Sequence, residues 1–357
     1  MRMNPGSVAV TIVTYNSARF IRRCLESVLA QAYSSLEIIV VDNASNDGTR
    51  NILETFKSRC RILYNDENTG FAAGQNQAIA STDSEWVLTL NPDVLMTPGF
   101  ISQLVAAGEA DPRIGTACGK LLSISPDFEL PERQLLDSTG MFFTPELRHF
   151  DRGSQCADVG QYDRFEYVFG ATAAAALYRR TMIDDIPIQN EFFDSDFFVY
   201  REDADVAWRA QLLGWKCVYT PLARAYHVRR VLPERRRSLP PEINMHSVKN
   251  RFMLRIKNAT HPLYLRNWLR ITARDIAVLG ASLTVETGSL PAFFFLARKW
   301  RHILAKRREV MRKRRVDEDS IGRWFASDPV SFPADNVADH LATRDQASRA
   351  REAISWP

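Results

Sequence analysis

Apolar positions along the first hundred residues follow two periods in alternation. Short β-branched runs, "SVAVTIVTY" (7–15), "LEIIVVD" (36–42), "CRILYN" (60–65) and "EWVLTL" (85–90), have the length and composition of strands buried on both faces. Helical stripes lie between them. In "SARFIRRCLESVLAQ" the apolar positions are Phe20, Ile21, Cys24, Leu25, Val28 and Leu29, with Ser17 placed to cap. "DGTRNILETFKS" reads as a second helix and "GQNQAIAS" as the start of a third. This β-α-β-α-β-α-β order predicts an α/β fold with a mostly parallel central sheet and helices on its faces.

Sheets of that kind bind ligands outside the carboxyl ends of their strands. The polar clusters of this chain fall there: Thr14-Tyr15-Asn16, Asp42-Asn43-Ala44-Ser45, Asn65 to Gly70, and Asn91-Pro92-Asp93. In the last of these, proline cannot continue a sheet interior, so the chain turns and presents one carboxylate.

Beyond residue 110 the pattern loosens. "GTACGKLLSI" and "GATAAAALYRR" are strand-like, "EDADVAWRAQLLGW" reads as a helix ending near Gly214, and "KCVYTP" as a strand. From about residue 240 the pattern becomes long, basic and amphipathic, as in "HSVKNRFMLRIKNA" and "RNWLRITARDIAVLGASL". The chain therefore divides into a unit at 1–240, with halves of about 1–110 and 111–240, a basic helical region at 241–315, and a polar tail at 316–357 to which no element is assigned.

With 45% hydrophobic and 25% charged residues among 357, the composition is that of an ordinary globular protein. The net charge is only +4, but the run Arg298–Arg315 holds ten Lys/Arg against one acid, Glu309, and Val228–Arg237 is a second basic run. Such runs are most simply solvated helix faces, and no nucleic-acid-binding motif accompanies them. Cys24, Cys60, Cys118, Cys156 and Cys217 are dispersed, without metal or CxxC spacing, and read as buried thiols of a reducing compartment. "MRMNPGS" leads straight into the first strand, so no signal peptide is expected. The longest apolar stretch, Ile276–Ala297, is broken by Glu286, Gly288 and Pro291 and is not expected to span a bilayer.

Four stretches carry candidate chemistry. In "VVDNASNDGT" Asp42 ends a strand, where it can accept from a base N–H or a ribose hydroxyl; taken alone, the stretch is an Asx turn with a helix cap. "NTGFAAGQNQAI" places Gly70 and Gly74 where backbone bends or approaches closely, yet it is neither a dinucleotide fingerprint nor a phosphate loop. In "FFVYREDADVAWRAQLLGW", Glu202, Asp203 and Asp205 crowd a helix N-terminus, where the dipole favours anions. Beside Phe197, Phe198 and Tyr200 they resemble a cleft floor more than an open surface. His227, in "ARAYHVRR", lies just past the next strand; a lone histidine is more often structural than a ligand.

Taken together, "VTYN", "VDNASNDGT", "NTGFAAGQN", "LNPDV", "GATAAAALYRR" and "YREDADVAWRAQLLGW…H" resemble, in order and spacing, the family 2 glycosyltransferases of the GT-A fold, over about residues 7–260. The nearest branch is similar to bacterial rhamnosyltransferase-like enzymes of cell-surface polysaccharide synthesis. The resemblance implies a nucleotide pocket of Thr14, Tyr15, Asn16, Asp42 and Asn43, supported by Gly70, Gly74 and Asn76. It puts Asn91-Pro92-Asp93 at the family's DxD metal motif. Asn91 replaces the first acid, which leaves Asp93 as the one carboxylate there. By likeness to galactofuranosyl-type members, His227 is implied as a further ligand, Asp203 as general base, and Glu202 as its neighbour.

The chemistry suits those residue types. Charge develops on a nucleotide sugar's diphosphate as the anomeric bond breaks, and Mg²⁺ or Mn²⁺ held by oxygen ligands and an imidazole would neutralise it. The acceptor hydroxyl needs a base, which a carboxylate supplies. With no covalent nucleophile in evidence, direct displacement inverts the anomeric centre. The resulting expectation is an inverting transfer, most simply of L-rhamnose from a dTDP donor to a lipid-linked saccharide. UDP-galactofuranose, UDP-galactose and UDP-GlcNAc stand as other donors, and a non-catalytic GT-A scaffold as a reading of another class. Trp268, Leu269, Ile276, Phe293 to Phe295 and Trp300 beside dense Lys/Arg suit a helix lying in an anionic membrane surface, at the cytoplasmic face of the cell membrane. A solvated hairpin or a homo-oligomer surface would use the same residues.

Overall fold

The computed structural model describes residues 4–229 and 241–354. Its first half follows the alternation. Strands β1 (Asn4–Thr14), β2 (Leu36–Asn43), β3 (Arg61–Asn65) and β4 (Ser84–Leu90) are linked by helices α1 (Ile21–Leu29), α2 (Thr49–Glu54) and α3 (Gly70–Ala80). They run parallel in the order β4-β1-β2-β3. Val8, Val10 and Ile12 of β1 join one core, while Ala9 and Val13 join another on the opposite face. Burial on both faces is why the strand reads as an unbroken apolar run. Ser17 does not cap α1 with its side chain; its hydroxyl instead donates to the Tyr15 carbonyl.

The second half comprises β5 (Val94–Met96), α4 (Phe100–Glu109), β6 (Ile114–Ser123), β7 (Leu136–Ser138), β8 (Met141–Phe143), β9 (His149–Asp151) and β10 (Glu166–Val168). After these come β11 (Ala175–Arg179), α5 (Arg180–Asp185), α6 (Glu202–Leu212) and β12 (Lys216–His227). Here the sheet becomes mixed. β11 is reached through a long irregular excursion rather than a helical crossover, and it lies antiparallel between β4 and β6. Parallel pairing returns between β6 and β12. β12 runs well past "KCVYTP", through a register shift between Thr220 and Arg224, and ends on His227.

The C-terminal region adds α7 (Pro241–Asn258), α8 (His261–Thr284), α9 (Pro291–Lys313), α10 (Glu318–Gly322), β13 (Phe332–Pro333) and α11 (Asp335–Ile354). Among the described residues no single helix is long and apolar enough to cross a membrane, and α8 and α9 meet at a bend of 113°. Much of the Arg298–Arg315 run is not a solvated face. Lys306 is buried against Asp194 and Asp196, Arg307 donates to the Ile256 and Ala259 carbonyls, Lys313 donates to Pro187, and Arg315 pairs with Asp185. The other basic run, past Arg229, lies outside the described residues.

Two expectations need correction. Residues 316–357 are not simply a polar tail: Trp324 and Phe325 pack into the core with Phe143 and Phe169, and Phe332 pairs with Tyr167 at the sheet edge. Their few aromatic side chains supply enough apolar area to anchor an otherwise polar segment. Four of the five cysteines are buried, but Cys156 is exposed, because it sits in the turn after β9 with only its backbone engaged.

Candidate active site

The topological switch of the sheet lies between β1 and β4, since the chain leaves β1 toward β2 on one side and returns to β4 on the other. A crevice outside those carboxyl ends follows from that order. Thr14 ends β1 in register with Asp42, one residue before the end of β2, and both are fully buried. Asp42 Oδ2 accepts from Arg50 Nε at 2.6 Å and from the Ser45 amide at 3.2 Å. Asp42 Oδ1 and Thr14 Oγ1 have no hydrogen-bond partner among the described residues, the condition a ligand's polar edge would relieve. Tyr15 is 47% exposed next to them. Asn16, at φ 51°, braces the two loops: its Oδ1 accepts from the Asn46 amide, while its own amide donates to Ser45 Oγ.

Asn43 faces the next loop. Its Nδ2 donates to the Gly70 carbonyl at 3.0 Å, and its Oδ1 accepts from Asn65 and Thr69. Gly74 lets α3 approach β1, since a Cβ there would stand 2.9 Å from Val13. Gly70, at φ +85°, lies so close to Phe198 that a Cβ would meet it at 2.6 Å. The Asn76 amide group is engaged at both ends by the Phe193 backbone, so it braces α3 rather than facing the crevice.

Asn91 and Asp93 follow β4. The turn at Pro92 feeds directly into β5, which pairs with β12 so that Val94 lies opposite His227. That pairing, absent from the sequence pattern, brings Asp93 Oδ1 to 3.5 Å from His227 Nε2. On its other side His227 Nδ1 lies 2.8 Å from Asp137 Oδ2, and Arg229 bridges Asp137 to Asp151 with contacts of 2.6 Å to each. Burial alone would lower the His227 pKa, but Asp137 first and then Asp93 raise it to about 10. Asp137, fully buried, is held at about 2 against the effect of burial by His227 and Arg229. A carboxylate on Nδ1 fixes the ring and turns Nε2 toward Asp93, the usual support of a metal-binding histidine. Two ligands of one octahedral Mg²⁺ stand ~3 Å apart, close to the spacing of this pair; His227, an imidazolium at neutral pH, would release its Nε2 proton when a divalent cation takes its place. Among the described residues no three His, Cys, Asp or Glu side chains converge as a metal site, so further ligands would come from substrate and water.

The acids of α6 separate by role. Asp205 is fully buried and bound by Arg209, Lys257 and Asn258, a structural clamp. Asp203 is partly exposed, and its two oxygens accept from the Ala173 and Ala204 amides at 3.2 and 2.7 Å. Burial, and then Asp151, raise its pKa to about 6. Glu202 is buried, and burial followed by repulsion from Asp203 pushes it well above the carboxylate range. The site thus holds one readily ionised acid beside one that stays protonated, a base poised near neutrality.

The loop before α6 is strained: Phe198, Tyr200 and Arg201 all adopt positive φ, at 65°, 67° and 74°. Asn250 of α7 holds it, with Nδ2 within 2.7–2.9 Å of the Phe197, Val199 and Tyr200 carbonyls. The Phe198 carbonyl also accepts from Ala72, tying this loop to α3. Asn250→Ala is expected to cost about 1–3 kcal/mol of stability. Urea denaturation checks this, and an unchanged midpoint would show the loop holds itself. Asn250, Asp137, Asp151 and Arg229 carry no motif; "LLDSTG" offers only an acid after two leucines.

The model of the family described as "Glycosyl transferase family 2" matches residues 9–187. An N-acetylglucosaminyl-diphospho-decaprenol L-rhamnosyltransferase of Mycobacterium tuberculosis is 27% identical over 236 residues, covering 61% of this chain and 75% of the relative. The crystal structure of GalNAc-T7 with UDP, GalNAc and Mn²⁺ is similar with a TM-score of 0.56 and 13% identity, over 70% of this chain and 48% of that one. A mannosyltransferase of Pyrobaculum calidifontis, in complex with GDP-Man and Mn²⁺, is similar with a TM-score of 0.50 and 19% identity, over 86% of this chain and 85% of that one. At those identities the two structures establish a shared fold. The family match spans half the chain, and with the strand-end crevice and the poised carboxylate it places this protein in glycosyl transferase family 2.

Proposed function

We propose that this protein transfers L-rhamnose from dTDP-L-rhamnose to a lipid-diphosphate-linked saccharide, with inversion and with a divalent cation. The observation that carries the mechanism is the pairing of Asp93 with His227 just past β4, together with an Asp203 held at the start of α6 by the Ala173 amide. The choice of sugar and acceptor is supported by the name of the mycobacterial relative. In this reading Thr14 and Asp42 meet the base through their unpartnered atoms, Tyr15 covers it, and Asn43 with Gly70 and Gly74 shapes the loop beneath the ribose. Asn91 lies at the diphosphate without adding charge. Asp93 and His227 would hold the cation, which offsets the charge developing on the leaving diphosphate. Asp203 takes the proton from the attacking hydroxyl, and Glu202, kept neutral, adds no second charge beside it. Displacement from the face opposite the nucleotide gives the inverted product.

The pKa of about 6 sets the pH dependence. Only ionised Asp203 can act as base, so kcat/KM is expected to rise with pH through about 6 and to level above 7. A profile flat from pH 5 to 8 would remove Asp203 from that role. A panel of nucleotide sugars, scored by transfer with Mg²⁺ or Mn²⁺, decides the donor; preference for a UDP-sugar over dTDP-rhamnose would overturn that assignment.

The protein in this reading works at the cytoplasmic membrane face. Trp268, Leu269, Ile276, Phe294 and Trp300 are each about half or more exposed along α8 and α9, beside exposed Arg298, Lys299 and Arg301. Apolar side chains beside cations match an anionic lipid surface. Flotation with anionic vesicles should carry the protein upward, and replacing Leu269, Ile276 and Phe294 with serine should abolish it; equal flotation of both would sink the assignment.

A further inference from the structure

A second charged cluster lies between α7 and α8, outside the residues assigned to the donor. Arg251 and Arg255 stand one helical turn apart on α7, each 7% exposed, and Arg274 faces them from α8. Among the described residues, Nε and Nη2 of Arg251, Nε and Nη1 of Arg255 and Nε of Arg274 are buried with no hydrogen-bond partner. Asp275 is the carboxylate paired with the group among the described residues. Asp275 Oδ2 accepts from Arg255 Nη2 at 2.8 Å, whereas Asp275 Oδ1 stands 3.9 Å from Arg251 Nη2, outside hydrogen-bonding range. Burial first, then Arg255 and Arg201, lower the Arg251 pKa to about 9, against the opposing effect of Asp275.

Buried guanidinium groups are ordinarily paired, because desolvating an uncompensated charge is costly. An anion seated among these arginines would supply the missing hydrogen-bond partners and charge. Two planar forks at i and i+4 lie 5–6 Å apart at Cβ, a spacing that can grip two phosphoryl groups. We propose that Arg251, Arg255 and Arg274 form the site for the diphosphate of the acceptor; this rests on the reading of the acceptor as a lipid diphosphate. The location agrees. Arg201, two residues before Asp203, lies within electrostatic reach of Arg251, so the cluster neighbours the loop that leads to the base. The donor cluster is instead carried by the ends of β1, β2 and β4. α8, which carries Arg274, also exposes Trp268, Leu269 and Ile276 along its length, where a lipid chain would leave.

The test uses the full chain with inorganic pyrophosphate as probe, in chelator and without metal. Pyrophosphate should raise the melting temperature of the wild type. In the Arg251→Met/Arg255→Met double variant, relief of mutual repulsion offsets loss of the Arg255–Asp275 ion pair, so its melting temperature without the anion should lie near that of the wild type, and it should lose the pyrophosphate response. With a short-chain prenyl-diphosphate saccharide as acceptor, the double variant should raise acceptor KM at least tenfold. With the same saccharide on a neutral alkyl chain, it should change nothing. A retained pyrophosphate response, equal loss with both acceptors, or a rise in donor KM instead would overturn the proposal. So would loss of anionic-vesicle flotation with no discrimination between acceptors, which would assign the cluster to phospholipid headgroups. If pyrophosphate binds and the variant loses it while no donor is ever turned over, the anion site stands and the transferase reading falls.

Discussion

Replacement of Asp203 by asparagine is expected to lower kcat by ~10²–10⁴-fold, the usual contribution of a positioned general base, with donor affinity little changed. Stability should move the other way. The folded-state pKa of Asp203 is raised to about 6, so the native protein binds more protons than the unfolded chain between pH ~4 and 6. Its stability therefore falls as pH rises through that window, and at neutral pH the ionised carboxylate is a net cost. Asp203→Asn removes that cost. The variant should be on the order of 1–2 kcal/mol more stable than the wild type at pH 7.5, after allowance for partial exposure, and equal to it at pH 4. Loss of activity with gain of stability separates a base from a folding residue. A variant that is both inactive and less stable at pH 7.5 would point to a structural role through the Ala173 and Ala204 amides.

The second large effect is expected at Asp93. Asp93→Ala should abolish the response of turnover to added Mg²⁺ or Mn²⁺ and lower the rate by ~10³-fold, consistent with the loss of several kcal/mol of charge stabilisation. Asn91→Ala should only weaken the reaction, because Asn91 supplies no charge. Asp137→Asn is the informative companion. It leaves both proposed ligands in place but removes the carboxylate that fixes His227, and second-shell changes of this kind typically cost 10–100-fold in metal affinity. Metal titration of the three variants by calorimetry orders them. Wild-type metal affinity in Asp93→Ala would exclude the carboxylate as a ligand.

Much of the strand-end crevice proposed for the donor was legible in the residue pattern because it is local. A strand buried on both faces reads as an apolar run, and its polar end marks the crevice, so Thr14, Asp42 and Asp93 stood out without any knowledge of tertiary structure. Where the sheet changes direction, the elements β6, β11, α6 and β12 still read from their patterns, but their pairing did not. β11 and β12 are joined to the first half through register choices made by distant side chains, and three-residue strands such as β5 have no period to detect. The Asp93–His227 contact therefore followed only from family likeness. The acids of α6 were seen as a group, but Asp205 parted from Asp203 once Lys257 and Asn258 arrived from α7. A basic run likewise has two readings, solvated or docked. Lys306 is docked because Asp194 and Asp196, more than a hundred residues earlier, meet it in the fold.

The measurement closest to the central claim is a transfer assay with the full chain, dTDP-L-rhamnose and a short-chain prenyl-diphosphate saccharide, with NMR of the product and with chelator added or withheld. The account predicts a rhamnosylated acceptor of anomeric configuration opposite to the donor, formed with Mg²⁺ or Mn²⁺, absent in chelator and absent with Asp203→Asn. A product of retained configuration, or transfer undiminished by either the chelator or the substitution, would contradict it.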